Sequence, residues 1–285
     1  MKDIFDEKKI AVLIDADNAQ YSRMKTVLRE VSTHGHIITK RAYGDWSSSN
    51  LKNWKDHLNE LAIQPVQQFA YTQGKNSTDA HLIIDAMDLL YSEKYDAFVL
   101  VSSDSDFTRL ASRLRESQKY VIGVGESKTP ISFRNACDEF IIVENLDDDE
   151  SAQLAPSVDQ LKPRKAAKPK AEAKPKDTEG QGQDLSKDSS NSPVKVVTQE
   201  EIVELVAILR KAYEKYVDDD GWANVAPTGS FIKRVKPDFD PRTYKFSKVP
   251  DLIASLSDHF EMTKFPGKGK VNIVAFRPKG IEKDF

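Results

Sequence analysis

Carboxylates gather at two places in this sequence, Asp15-Ala16-Asp17-Asn18 and Ser102-Ser103-Asp104-Ser105-Asp106-Phe107. Each follows directly on a short apolar, β-branched run, residues 9–14 and 97–101. Such runs form buried strands of parallel sheets, whose ligands bind beyond the carboxyl ends of the strands. Carboxylates massed there repel one another, and a hard divalent cation with oxygen ligands is the natural remedy. Asp79 opens a helix between the two strands, so Asp15, Asp79, Asp104 and Asp106 can converge in one crevice. Mg²⁺ or Mn²⁺ held by Asp15, Asp104 and Asp106 would polarise a phosphate and activate water. Helix capping explains Asp79 and Asp106 singly. It does not explain why Asp15, Asp17, Asn18 and Asp104 all crowd at strand ends.

Other polar residues read less sharply. Asn18 suits a metal-bound water or a phosphate, and equally suits a helix cap. Lys75, in Gly74-Lys75-Asn76-Ser77, is placed to meet a phosphate or simply to be solvated. Arg134 can grip backbone phosphate bidentately or pair with an acid. The single cysteine, Cys137, excludes an intramolecular disulfide and a zinc site of several thiolates; without an activating base nearby it reads as a small buried residue. The five histidines lack metal-ligand spacing.

The elements that must position the acids alternate between residues 9 and 146. Strands are expected over 9–14, 36–43, 65–71, 97–101, 120–124 and 140–143. Helices are expected over 18–31, 51–61, 77–90 and 106–114. This succession predicts a doubly wound, mostly parallel α/β sheet, with Asp15 and Asp104 on one sheet edge. Residues 147–197 change character, running from Asp147-Asp148-Asp149-Glu150 through Lys/Pro/Ala repeats into Gly/Gln/Ser/Asp-rich sequence without an aromatic. A disordered basic and polar linker is expected there. Helical periodicity returns at 198, with helices over 202–213, 227–235 and 248–256. A hairpin then turns around Gly267-Lys268-Gly269-Lys270. Residues 198–280 thus read as a small winged-helix-like α+β domain.

Charge adds a partner. Lys233, Arg234, Lys236, Arg242, Lys245 and Lys248 alternate with Phe239, Tyr244 and Phe246. Cations neutralise phosphate and aromatic faces stack unpaired bases, although core packing of the aromatics, Phe246 above all, explains the same pattern. The amino terminus lacks a secretory apolar stretch and no segment nears the roughly 20 apolar residues of a membrane span. A cytoplasmic protein without a membrane partner is therefore expected.

Asp15-x-Asp17-Asn18, Lys75-x-x-x-Asp79, the Ser102–Phe107 segment and Arg134-Asn135-Ala136-Cys137-Asp138-Glu139-Phe140 together resemble the NYN domain, a PIN-like branch, its LabA-like group above all. That resemblance implies a metal-dependent ribonuclease fold over residues 1–146, with Asp15, Asp79, Asp104 and Asp106 at its acidic positions. Gly221-Trp222-Ala223, Gly229-Ser230, Phe239-Asp240-Pro241-Arg242-Thr243-Tyr244 and Phe246 to Leu252 resemble the OST-HTH/LOTUS domain. That second resemblance implies a module binding RNA, single-stranded or structured and including G-rich RNA, or a protein partner. A homodimer would enlarge the substrate groove. Two rivals remain at this stage. A binding regulator could keep a catalytically silent acidic pocket. A haloacid-dehalogenase-type phosphatase could use Asp15 as nucleophile, but Ala19 breaks the Thr or Val expected there.

Overall fold

The computed structural model describes residues 7–68, 77–146, 197–266 and 272–280. In the first region β1 (Lys9–Asp15), α1 (Met24–Ser32), β2 (His36–Gly44), α2 (Trp54–Glu60) and β3 (Gln64–Gln67) come first. Then follow α3 (Ser77–Tyr91), β4 (Ala97–Val101), α4 (Thr108–Glu116), β5 (Tyr120–Gly125), α5 (Ile131–Ala136) and β6 (Glu139–Ile142). The six strands form one sheet in the order β3-β2-β1-β4-β5-β6, and every pairing is parallel.

Period two in β1 explains the three layers. Ile10, Val12 and Ile14 join Met24, Val27, Trp54 and Leu58 of α1 and α2 in one core. Ala11 and Leu13 face the opposite core, built on Leu82 and Ala86 of α3, Leu110 and Leu114 of α4 and Phe133 of α5. Both faces of β1 and β4 are covered, which is why those strands read as unbroken apolar runs.

The sequence places most elements correctly, with local differences. The segment after β1 is a turn closed by the Ala19 amide on the Asp15 carbonyl (2.9 Å), so helix begins only at Tyr21 as a 3-10 turn. Likewise a 3-10 turn at Ser49–Leu51 precedes α2, and β3 ends at Gln67. Lys75, the Gly267–Lys270 turn and residues 147–196 lie outside the described residues.

The carboxy-terminal region contains α6 (Gln199–Tyr216), β7 (Ala223–Asn224), α7 (Val225–Val235), α8 (Val249–Ser255), β8 (Phe260–Pro266) and β9 (Asn272–Pro278). A capping box starts α6: the Glu201 amide donates to Thr198 Oγ1 while the Glu201 carboxylate accepts from the Thr198 amide. The wing is an antiparallel hairpin, β8 with β9, extended by the two-residue β7. Leu209, Ile232, Ile253, Phe260 and Phe276 form its core.

The two described regions make one compact unit. At their seam, β6 is an edge strand whose Phe140 amide donates to the Pro237 carbonyl at 2.8 Å, so an otherwise open ladder position is covered.

Candidate active site

The sheet order reverses between β1 and β4, the place where α/β sheets open a crevice. Pairing of Ile14 with Val101 sets Asp15 beside Ser102. Asp15 is fully buried. Its Oδ2 accepts from the Ser102 hydroxyl and from Asn18 Nδ2, each at 2.8 Å. Ser102 Oγ in turn accepts the Asp104 amide (3.1 Å), and Asp104 Oδ1 accepts the Asp106 amide (2.9 Å). One chain of hydrogen bonds therefore runs from the end of β1 to the turn after β4, with Ser102 as its middle link. Serine is too common in loops to stand out in a sequence; its place at the end of β4 was the available signal.

Above this chain three carboxylates converge. Asp79, Asp104 and Asp106 each offer an oxygen, and these oxygens all lie within 4.8 Å of one another. Asp79 stands in the first turn of α3, where the helix dipole favours an anion. Asp104 also caps the following 3-10 turn, so capping and ligation coexist in one side chain. The cluster differs by one member from the metal set expected from sequence. Asp79 joins Asp104 and Asp106, while Asp15 lies beneath, one hydroxyl away.

The electrostatics report the crowding. Burial pushes the Asp79 carboxyl up, and the charges of Asp15, Asp104, Asp106 and Asp17 push it further, to about 6. Burial also raises Asp15, against the hydrogen bonds from Asn18 and Ser102. Asp17 is raised by burial too, and by the charge of Asp45, while a hydrogen bond with Thr78 opposes the shift. Asp15 Oδ1 is buried with no hydrogen-bond partner among the described residues. A buried carboxylate oxygen without a partner, below three converging carboxylates, is the donor set that a hard divalent cation or its water would satisfy. The residues fit such an ion.

The expected phosphate-binding cations are placed differently from one another. Arg134 is buried, with Nε on the Thr129 carbonyl (2.8 Å), Nη1 on Asp238 (3.0 Å) and Nη2 on the Ser127 carbonyl. Lys233 pairs with Glu139, Lys236 with Glu204, and Arg242 with Asp240 and Glu30. Arg234 donates to the Tyr216 hydroxyl and the Ser230 carbonyl. Lys245 is exposed and has no acidic partner among the described residues. Phe239 is buried in the carboxy-terminal core, and Tyr244 and Phe246 pack against it; these aromatics are packing residues. Cys137 is buried, and that burial pushes its thiol up to about 12. It cannot act as a nucleophile near neutral pH.

Residues 9–145 match the family model of the NYN domain, and residues 198–272 match that of the OST-HTH/LOTUS domain. Among solved structures, a Vibrio parahaemolyticus protein of unknown function is 21% identical over 52% of this chain and 98% of its own, with a TM-score of 0.42. An uncharacterized Nitrosomonas europaea protein is 24% identical over 36% of this chain and 92% of its own, with a TM-score of 0.26. No curated protein matches the chain. No helix among the described residues is long and apolar enough to cross a membrane. The chain carries an NYN domain, of the PIN-like nuclease family, followed by an OST-HTH/LOTUS domain, an RNA-binding module.

Proposed function

We propose that this protein is a metal-dependent ribonuclease whose carboxy-terminal domain retains the RNA. The observation that carries the reading is the convergence of Asp79, Asp104 and Asp106 within 4.8 Å at the sheet's reversal point. A divalent cation held by these three would supply the positive charge that lets water attack a phosphodiester in line. The chain's own groups do the rest. Ser102 holds Asp104 in register with Asp15, and Asn18, exposed at the crevice mouth, fixes Asp15 from the other side. Asp15 is a positioning residue in this reading, and its buried anion adds to the field that draws a cation. Burial and two hydrogen bonds to Oδ2 favour this positioning role over that of a covalent nucleophile. Lys245 and Lys248, both exposed, are cations of the second domain that would meet RNA phosphate.

End-labelled single-stranded and structured RNAs, incubated with Mn²⁺, Mg²⁺ or EDTA, test this directly. Wild type should cleave only with a cation, and Asp104→Asn should lose about a thousandfold in rate while melting normally. RNA binding with no product in any metal would instead make the chain a binding regulator.

A further inference from the structure

Beside the acidic crevice lies an open cavity of about 640 Å³. Its lining includes Trp46, Leu51, Leu58 and Pro65, with Lys52 and Lys55 at the rim. We propose that this cavity receives the unstacked base of an RNA nucleotide next to the scissile one, with Lys52 and Lys55 on its phosphates. The inference rests on the nuclease reading and assigns the cavity as a subsite for a single unstacked base.

Three observations carry it. The first is continuity. A Cβ built on Gly44 would lie 2.5 Å from Leu51 Cδ1 and 3.6 Å from Asp17 Oδ1. Leu51 of the cavity wall and Asp17, whose charge acts on Asp79, therefore both lie against Gly44, and glycine is what permits so close an approach.

The second is charge. Among the described residues the charges acting on Asp79 are negative, so phosphate on this side gains from cations at the flank. Lys52 and Lys55 are exposed, and neither pairs with a carboxylate among the described residues. They are cations available for phosphate at the flank of an acidic site.

The third is rigidity. The Trp46 indole donates to the Val66 carbonyl at 3.0 Å, and its amide donates to Gln67 Oε1 at 3.1 Å. Gln67 Nε2 ties back to Asp45 Oδ1 at 2.9 Å, and Asp45 also receives the Ser47 amide and hydroxyl. Trp46 further meets Trp54 edge-on, with ring centroids 6.2 Å apart. A half-buried aromatic wall held this way needs no ordering when a base arrives. The volume lies within the range of small-ligand sites, and bases paired in an A-form helix cannot enter it.

The test is binding, separated from turnover by EDTA. Fluorescence anisotropy would follow a labelled eight-nucleotide RNA on the full chain, with an abasic residue placed at each position in turn. One position should weaken binding by about tenfold when abasic. That penalty should vanish in Ser49→Trp, whose indole fills the cavity. Lys52→Glu/Lys55→Glu should weaken every single-stranded oligonucleotide by about tenfold and flatten its salt dependence. An abasic penalty unchanged in Ser49→Trp, or unaltered binding by the double glutamate variant, overturns the assignment. Cleavage in Mn²⁺ is scored separately. Cleavage without any cavity effect removes the cavity alone, whereas a cavity effect without cleavage in any metal removes the nuclease reading alone.

Discussion

Two regions of this molecule take charged side chains out of water, and they do so in opposite ways. At the crevice, Asp15, Asp17, Asp79, Asp104 and Asp106 crowd together, and the charges that perturb Asp79 are all negative. At the seam between the domains the acids, buried or half-buried, each meet a base. Glu139 takes His34 and Lys233, Asp238 takes Arg134, and Glu30 takes Arg242. Burial alone would raise Glu139, but the His34 hydrogen bond and the Lys233 charge hold it down to about 2. The seam pairs its charges, with Asp238 Oδ1 and Thr129 Oγ1 buried without a hydrogen-bond partner among the described residues. At the crevice, Asp79, Asp104 and Asp106 converge closely enough to offer a cation three oxygens, on strands β1 and β4 that are buried on both faces.

The largest separation between the regions should come from removing one charge at each. Arg134→Met leaves Asp238 buried without its base and frees the Ser127 and Thr129 carbonyls. Loss of one partner from a buried pair costs about 3–5 kcal/mol. Undocking of the domains would relieve part of this by returning Asp238 to water. The thermal transition should therefore fall and split in two; a single unshifted transition would show that the seam does not join the domains.

Asp79→Asn should act in the other direction. The folded pKa of Asp79 is raised from 3.8 to about 6. Its contribution to stability is thus fully present below pH 3.8 and is lost as pH rises through 6. At pH 7.5 the ionised carboxylate is a burden, so the amide should stabilise the cation-free protein by about 1 kcal/mol, after discounting for solvent screening. Wild type should then gain melting temperature with added Mn²⁺ and the variant should not. Destabilisation by Asp79→Asn would remove the contrast between the regions.

What the sequence conveys follows the same division. The sheet is legible because β1 and β4 are apolar on both faces and stop abruptly at acids. The positions of Asp15 and Asp104 at or just past strand ends are legible because the apolar runs of β1 and β4 stop there. That Asp79 rather than Asp15 stands in the three-carboxylate cluster depends on how α3 crosses over the sheet, and no local pattern encodes it. The seam was hidden for a related reason. Lys233 and Arg242, read beside Phe239 and Tyr244, look like an RNA face; their partners Glu139 and Glu30 lie 94 and 212 residues away. β7, with two residues, is too short to carry a period.

A smaller effect lies in the pH dependence of the seam. The hydrogen bond to Glu139 raises His34, more than burial lowers it. Stability from the charged imidazole is therefore fully present below the ordinary 6.5 and is lost as pH rises through the folded value. Glu139, held at about 2 against an ordinary 4.5, contributes above 4.5 and loses its share only as pH falls toward 2. Melting temperature should decline between pH 6 and 8.5 in wild type. His34→Gln should flatten that decline, because the imidazole is gone while Lys233 and the Tyr120 hydroxyl, itself raised by burial, still face Glu139. An equal decline in the variant would move the pH response elsewhere.

The smallest effect sets the scale for the others. Arg109 and Glu116 on α4 form an ion pair at 3.5 Å with side chains 83% and 53% exposed. The partners have the same chemistry as Arg134 and Asp238, but water solvates both and salt screens them. Arg109→Ala should shift stability by at most about 0.5 kcal/mol, measured by denaturant midpoint at constant slope. The buried Arg134 pair and this exposed one then differ by nearly an order of magnitude for one arginine. If Arg109→Ala costs as much as Arg134→Met, burial is not what gives the seam its strength, and the contrast drawn between the seam and the crevice would lose its meaning.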